Sequence, residues 1–353
     1  MYQGKSVVAA MLWLTGGVAL AQTQVAVYGL VDVGVGYQTN AAPDKSSQTR
    51  VNSGSLATSR LGFRGSEDLG GGYSALFRLE TGFRADTGAL EESGTLFSRQ
   101  ANVGVAGPFG SIIAGRSFST TLDFISPYDP MISSHKYSWA LASGMANGRR
   151  DGMLIGSSNM LKYQGDFGHF KLGATYGFGE TAGSNMANAR HAIGAGYTKG
   201  RFSMAVTMDR TNGPLVAGTY ERASSTHIAG AYQVSDKWLL NAGYRRYQKQ
   251  QTGGLPDLRS NLFWGGGSYQ LAPAWTLIGA LYYQDLKTMQ PSTESDPVMY
   301  ALRLKYALSK RSELYGTAAY ARAKNGQMVS LSRDEVGYGS SQAGLAFGML
   351  HRF

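Results

Sequence analysis

Arg60 and Arg64 alternate with Leu61 and Phe63 along one short run, and Arg78 and Glu80 alternate in the same way with Phe77 and Leu79. A period of two places successive side chains on opposite faces of a β-strand. Each run therefore carries an apolar face and a face of ionised groups. Guanidinium groups stay charged at every working pH, and carboxylates such as Glu80 and Asp123 would hold neighbouring arginines in place and set up a transverse field. Such a row makes and breaks no bonds. Lining a narrow, low-dielectric passage, it would concentrate small anions and repel cations. An arginine turned toward lipid near the bilayer midplane costs about 2–4 kcal/mol, so strands that cross a membrane must turn this face inward.

Other chemistry finds little support. The five histidines, His135, His169, His191, His227 and His351, are far apart, and none has the spacing of a metal-ligand pair. Cysteine is absent, so neither a metal site nor a cofactor is expected. Gly34-x-Gly36 and Gly70 to Gly72 are not phosphate loops, because no helical pattern follows either. A spatial Ser/His/Asp triad is invisible in sequence, but no loop collects the histidines and acids. Net charge is +10 and the isoelectric point about 9.6. The basic residues are scattered singly through the strands, which argues against nucleic acid as a partner and for small anions or lipid head groups.

The compartment is written at the start. Lys5, the uncharged apolar stretch Val7 to Leu20 and the Ala19-Leu20-Ala21 site form a secretory signal over residues 1–21, with the mature chain starting at Gln22. Removing it with its one lysine leaves 10 − 1 = +9. No later run suits a transmembrane helix, and mean hydropathy is −0.21. Barrel strands give that average too, since lipid-facing and lumen-facing residues alternate. The 48 Gly and 21 Tyr beside only 9 Pro lean the same way.

Seven short polar clusters punctuate the alternating runs: Glu67 to Gly72, Gly107 to Gly110, Gly165 to Gly168, Lys199-Gly200, Ser235 to Lys237, Ala272-Pro273 and Ser309 to Arg311. They carry Gly, Pro, Asp and Ser where hairpins need them. Several are followed by an aromatic, such as Tyr73, Phe170, Phe202, Trp238 and Trp275, as an interfacial girdle requires. Seven hairpins give fourteen strands; a first strand near Val25 to Tyr37 and a last near Gln342 to Phe353 make sixteen. A two-sheet sandwich alternates similarly but has shorter strands, spaced about 8–12 residues apart. From Lys199 the turns recur about every 36–37 residues. The expected fold is all-β: a 16-stranded antiparallel transmembrane β-barrel over residues 22–353, with short periplasmic turns and long extracellular loops. One loop, about 117–155, carries roughly 20 extra residues, including Trp139, Arg149 and Arg150; long loops tend to be functional. Folded inward, it would narrow the open lumen that a barrel of this width leaves.

The motifs now resemble a known family, the trimeric general porins of β-proteobacteria. The resemblance rests on Val25 to Asp32, Ser59-Arg60 through Gly72, Phe77 to Phe83, Phe97 to Ala101, Gly110 to Arg116 and the closing His351-Arg352-Phe353. It implies an outer-membrane homotrimer that passes small hydrophilic solutes with anion preference, its third loop inside the lumen. It also implies that Arg60 and Arg99 are wall arginines, that Glu80 is a lumen carboxylate, and that Arg149 and Arg150 lie where the loop returns to the wall. Asn102 departs from the family pattern, which has a larger apolar residue there. Expected partners are outer-membrane lipid and lipopolysaccharide, and the assembly machinery, for which terminal Phe353 resembles the signal. The readings left open are a substrate-specific channel for an organic acid, phosphate or sugar, and a barrel with a plugged lumen.

Overall fold

Every one of the seven polar clusters joins two antiparallel strands. In the computed structural model, which describes residues 24–143, 149–153, 155–287 and 293–353, the strands in chain order are β1 (Gln24–Gln38), β2 (Gln48–Ser53), β3 (Arg60–Gly70), β4 (Tyr73–Gly82), β5 (Gln100–Gly107), β6 (Gly110–Phe118), β7 (Gly156–Phe167) and β8 (Phe170–Gly177). They continue with β9 (Arg190–Lys199), β10 (Phe202–Asn212), β11 (Arg222–Ser235), β12 (Trp238–Gln250), β13 (Leu258–Ala272), β14 (Trp275–Lys287), β15 (Val298–Ala307), β16 (Ser312–Arg322) and β17 (Ser341–Arg352). The signal expected over residues 1–21 lies outside the described residues.

The sheet closes on itself. One edge of β1 pairs with β17, from Leu30 opposite Arg352 to Gln38 opposite Gly344. Its other edge pairs with β3 below and β2 above. β2 and β3 are two halves of one stave, so seventeen strands make a closed barrel of sixteen. The break at residues 54–59 is held by Asp32, whose carboxylate accepts the Leu56 and Ala57 N–H groups at 2.6 and 2.8 Å and the Tyr315 hydroxyl at 2.7 Å. Closure leaves no sheet edge to satisfy, which is what lets β-structure cross a membrane. The tight turn after β3 places Gly70, Gly71 and Gly72 at φ of +80°, +63° and +82°, a run that only glycine adopts without strain.

Period-two alternation decides the faces. Ile193, Tyr300, Leu302 and Phe347 are more than half exposed on the outside, while their neighbours Ala192, Ala301, Arg303 and Ala346 are buried inside. Near the short turns, outward aromatics pair across strands: Phe170 with Tyr197, Trp238 with Tyr269 and Trp275 with Tyr306. Near the opposite rim stand Tyr176, Phe178, Tyr244 and Phe263. These are the two aromatic belts of a membrane barrel.

The long loop enters the lumen. It opens with α1 (Thr120–Ile125), capped by Ser119, whose hydroxyl accepts the Leu122 N–H at 3.2 Å, and runs into a 3-10 turn at Ser126–Tyr128. Phe124, Ile125, Tyr128, Met131, Trp139 and Leu141 then bury against the inner wall, which offers Ala205, Ala229, Ala280, Ala301 and Ala319 to receive them. Small wall residues opposite large loop residues are what close packing of an inserted loop demands.

Candidate functional site

The inserted loop leaves one arc of the lumen open, and two cavities share it. The larger, about 820 Å³, reaches the turn-side mouth at Gly107, Gly110 and Asp166, with Arg64, Arg78, Gln100 and Asn102 in its wall. The second, about 480 Å³, runs past Arg60, Arg99, Arg303 and Arg352 and along the loop at Ile132 to His135. Phe118 and Asp123 line both. The narrow passage therefore lies between α1 and the wall formed by β1 and β3 to β5.

Strand register builds that wall. Arg60 faces Leu30 on β1 and Gly82 on β4, and Arg64 stands directly opposite Arg78. Two like charges side by side repel, and among the described residues neither guanidinium meets a carboxylate. Arg64 instead lies over the Tyr28 ring, 5.2 Å from its centroid. Arg60 likewise has no ion pair among the described residues. Arg99 is anchored: its Nε donates to Glu80 Oε1 at 2.7 Å, Glu91 lies 3.6 Å away, and its guanidinium covers Phe118. Glu80 is buried and also accepts the Tyr28 hydroxyl at 2.8 Å. It is thus a bracket for Arg99 and Tyr28 that leaves Arg60 free.

Asp123 sits on α1 as the loop's carboxylate in the passage, yet its own partner is Lys162 of β7 and not an arginine. Arg149 and Arg150 stand elsewhere. Arg149 forks onto buried Asp151 through two bonds of 2.7 Å and reaches the Arg259 carbonyl on β13. Arg150 pairs with Asp334 at 2.9 Å. Neither lines the two cavities. Asn102 faces inward, donates to the Arg116 carbonyl at 2.8 Å, and adds a polar group to the wall.

Several cations of this lumen escaped sequence reasoning. Arg303, Lys305 and Arg352 line the second cavity from β15 and β17, and Lys305 and Arg352 share Glu313 at 2.5 and 2.9 Å. The signal was there for Arg303 and Lys305, since they oppose Leu302 and Leu304 in an alternating run. The loop's fastening was not readable. Arg245 of β12 is wholly buried and donates to the carbonyls of Trp139 and Ala140 at 3.0 and 3.4 Å. Arg190 forks onto Asp209 at 2.6 and 3.0 Å, while Thr121 of α1 donates to the same carboxylate. Asp129 accepts the hydroxyls of Ser138 and Tyr282. The last extracellular loop closes over from outside: Trp139 Nε1 donates to the Leu331 carbonyl, and Arg333 to that of Ser133. Burial pushes the His135 imidazole down to about 3, helped by nearby Arg333 and Lys136.

Three carboxylates, Asp285, Glu294 and Asp296, also approach one another within 4.8 Å. Lys287 neutralises the first at 2.7 Å and Lys324 the last at 3.0 Å. That is an ordinary charged rim of an external loop.

Known proteins with this arrangement are channels. The chain is similar to outer membrane porin protein 32 of Delftia acidovorans, 30% identical over 99% of both chains. Among solved structures it is similar to the anion-selective porin from Comamonas acidovorans, with TM-score 0.78 and 25% identity over 94% of this chain and 100% of that one. OmpT of Vibrio cholerae in its trimer form shares the fold alone, with TM-score 0.70 and 16% identity over 94% and 99%. The profile of the Gram-negative porin family matches residues 6–326. A closed barrel with a loop-narrowed, charged lumen and these relatives lead to one conclusion: the chain belongs to the Gram-negative porin family and forms a channel of the outer membrane.

Proposed function

We propose that this porin passes small hydrophilic solutes with a preference for anions, set at the passage between α1 and the β3–β4 wall. The observation that carries the reading is the row Arg60, Arg64 and Arg78, three cations facing open cavity with no ion pair among the described residues. A low-dielectric throat strengthens their field on a passing ion. Opposite them, Asp123 is neutralised by Lys162, so the net sign of the passage is positive. The relative from Comamonas is described as anion-selective, which supports the same sign. A track for sugars would present aromatics to the solute, whereas Trp139 is wholly buried between the loop and the inner wall and does not line the passage. The reading involves no enzymatic step.

Homotrimeric assembly follows the family resemblance and the trimer form of the Vibrio barrel. The role of Phe353 as an assembly signal has a structural setting. Its backbone pairs with Gly29 through two bonds of 3.2 Å, and its ring lies over the space that glycine leaves, sealing the barrel seam. Deleting it should lower assembled protein while leaving single-channel properties unchanged. The function itself is tested in planar bilayers under a KCl gradient. The expected result is stepwise conductance in triplets, with a reversal potential that favours chloride. A preference for potassium would overturn the arginine reading, and absence of conductance the open pore.

A further inference from the structure

Two irregular segments of backbone meet in the second cavity, and each is built round a buried aspartate. On the loop, the Asp129 carboxylate accepts the Met131 and Ser133 N–H groups at 3.3 and 2.5 Å, and its carbonyl accepts that of Ile132 at 2.9 Å. The resulting turn holds Ile132 and Ser133 at φ of +55° and +53°. On the wall, Asp32 holds the break between β2 and β3 in the same way, through the Leu56 and Ala57 N–H groups. The Ser134 hydroxyl ties the two segments together, donating to the Ser55 carbonyl at 2.8 Å.

Isoleucine is a poor choice for that turn. A left-handed backbone crowds the Cβ, most of all a branched one. Every other run of consecutive positive φ among the described residues contains glycine: Gly70 to Gly72, Ala217-Gly218, Gly253-Gly254 and Asn325-Gly326. Ile132 is also the one β-branched residue with positive φ among the described residues. Packing does not offset the strain, because the side chain is 64% exposed. It stands in the open cavity, which half-buried Leu56 and Leu122 also line. Strain that its surroundings over-determine collects at functional sites. Arg60, with no ion pair among the described residues, borders the same cavity. Its volume of about 480 Å³ is that of a small-molecule site. One free cation and an apolar surface are therefore offered to the same solute, and an apolar body would displace the water that wets Ile132.

We propose that Ile132 is a specificity-determining residue of the passage. With Leu56 it receives the hydrocarbon body of amphiphilic monoanions, carboxylates on a cyclic or branched hydrocarbon, while Arg60 takes the carboxylate. Charge complementarity beside an apolar surface selects that class over inorganic and polyhydroxylated anions, which have nothing to lay on Ile132. A shallow lip raises occupancy without trapping the solute, as conduction requires. The inference rests on the anion reading of the throat and adds to it a ranking among anions.

The test places the full barrel in planar bilayers between potassium cyclohexanecarboxylate and potassium quinate, which share a ring and a carboxylate and differ in hydroxyl groups. In the unaltered barrel the permeability ratio is expected to exceed the ratio of the two mobilities in water by at least about threefold in favour of the hydrocarbon ring. Ile132→Asn removes the apolar surface with a residue that accepts positive φ, so the turn is kept and the excess should vanish. Ile132→Leu should retain it. A ratio equal to that of the mobilities, in an unaltered barrel that prefers chloride to potassium, overturns this proposal alone and requires no variant to fold. An excess that survives Ile132→Asn also overturns it. A preference for potassium overturns the anion reading and this inference with it.

Discussion

On the arc formed by β1 and β3 to β5, Arg60, Arg64 and Arg78 face open cavity and form no ion pair among the described residues. On the arc from β9 to β12, Arg190 and Arg245 are at most 3% exposed and sit in the wall beneath the inserted loop. Residue type and strand parity are the same on both arcs. The difference is the loop. Where it covers the wall, a guanidinium has lost its water and must be satisfied by protein, so it becomes a fastener. Where the loop stands away, the guanidinium borders open lumen and its field reaches the solute. The barrel thus uses one kind of side chain to hold the constriction and to charge it.

The most severe way to break the comparison is to strip a fastener. Among the described residues, Arg190→Met leaves the buried Asp209 with only Thr121 as a side-chain partner. Removing one partner of a buried ion pair costs about 3–5 kcal/mol. The variant barrel should unfold at markedly lower temperature or denaturant concentration, with α1 released from the wall. An unchanged unfolding midpoint would falsify the fastening role.

Arg245→Leu comes next. It orphans the carbonyls of Trp139 and Ala140, which accept from this guanidinium. A buried acceptor left without a partner costs about 1–3 kcal/mol, and here that loosens the loop more than the barrel. Single-channel conductance should rise and become noisier while the barrel stays assembled. Conductance identical to the unaltered protein would place the hold of the loop elsewhere, in Asp129 and Trp139.

The free arc should respond in the opposite sense. Arg60→Gln has no ion pair to break, so stability should stay within about 0.5 kcal/mol. The reversal potential, by contrast, should move toward potassium by a measurable fraction of its span. The double change Arg64→Gln, Arg78→Gln should do the same more weakly. It also removes a repulsive pair of neighbours, so the barrel should be no less stable. Its effect should shrink between 0.01 and 1 M salt, as the Debye length falls from about 30 to 3 Å. If Arg60→Gln destabilised the barrel and left selectivity alone, the two arcs would not differ as described.

How much of this was legible follows from the same contrast. Seven turns, sixteen staves and the inward parity of Arg60, Arg64, Arg78 and Glu80 are local properties of the chain, fixed by turn chemistry and a period of two. Loop insertion was legible as surplus length between β6 and β7. What α1 would touch was not. Asp123 is expected beside arginine and sits on Lys162, because which wall residue a helix faces is set by packing 39 residues away in sequence. Arg149 and Arg150 carry the same lesson. Asp151, two positions on from Arg149, lies buried and claims it, and Asp334 of a distant loop claims Arg150. The break between β2 and β3 also escaped, since it depends on Asp32 reaching across to Leu56 and Ala57.

The smallest expected effect concerns pH. Lys136 of the inserted loop is buried behind the constriction, donating to Asn52 Oδ1 at 2.8 Å, with Glu335 at 3.9 Å. Burial pushes its ammonium down to about 8, against the opposing pull of Glu335. The folded barrel therefore loses this proton near pH 8, while the unfolded chain keeps it until about 10.4. Between those values the unfolded state binds more protons, so stability rises with pH in this window and the penalty for the buried charge is in full force only below it. The lumen meanwhile loses one positive charge, and chloride preference should fall slightly as pH passes 8. His135, neutral above about pH 3, adds no step between pH 5 and 8. Reversal potentials taken from pH 6 to 10 should show the single shallow step, and Lys136→Met should abolish it. A step that persists in the variant belongs to another group, and the loop side of the comparison then contributes fastening alone.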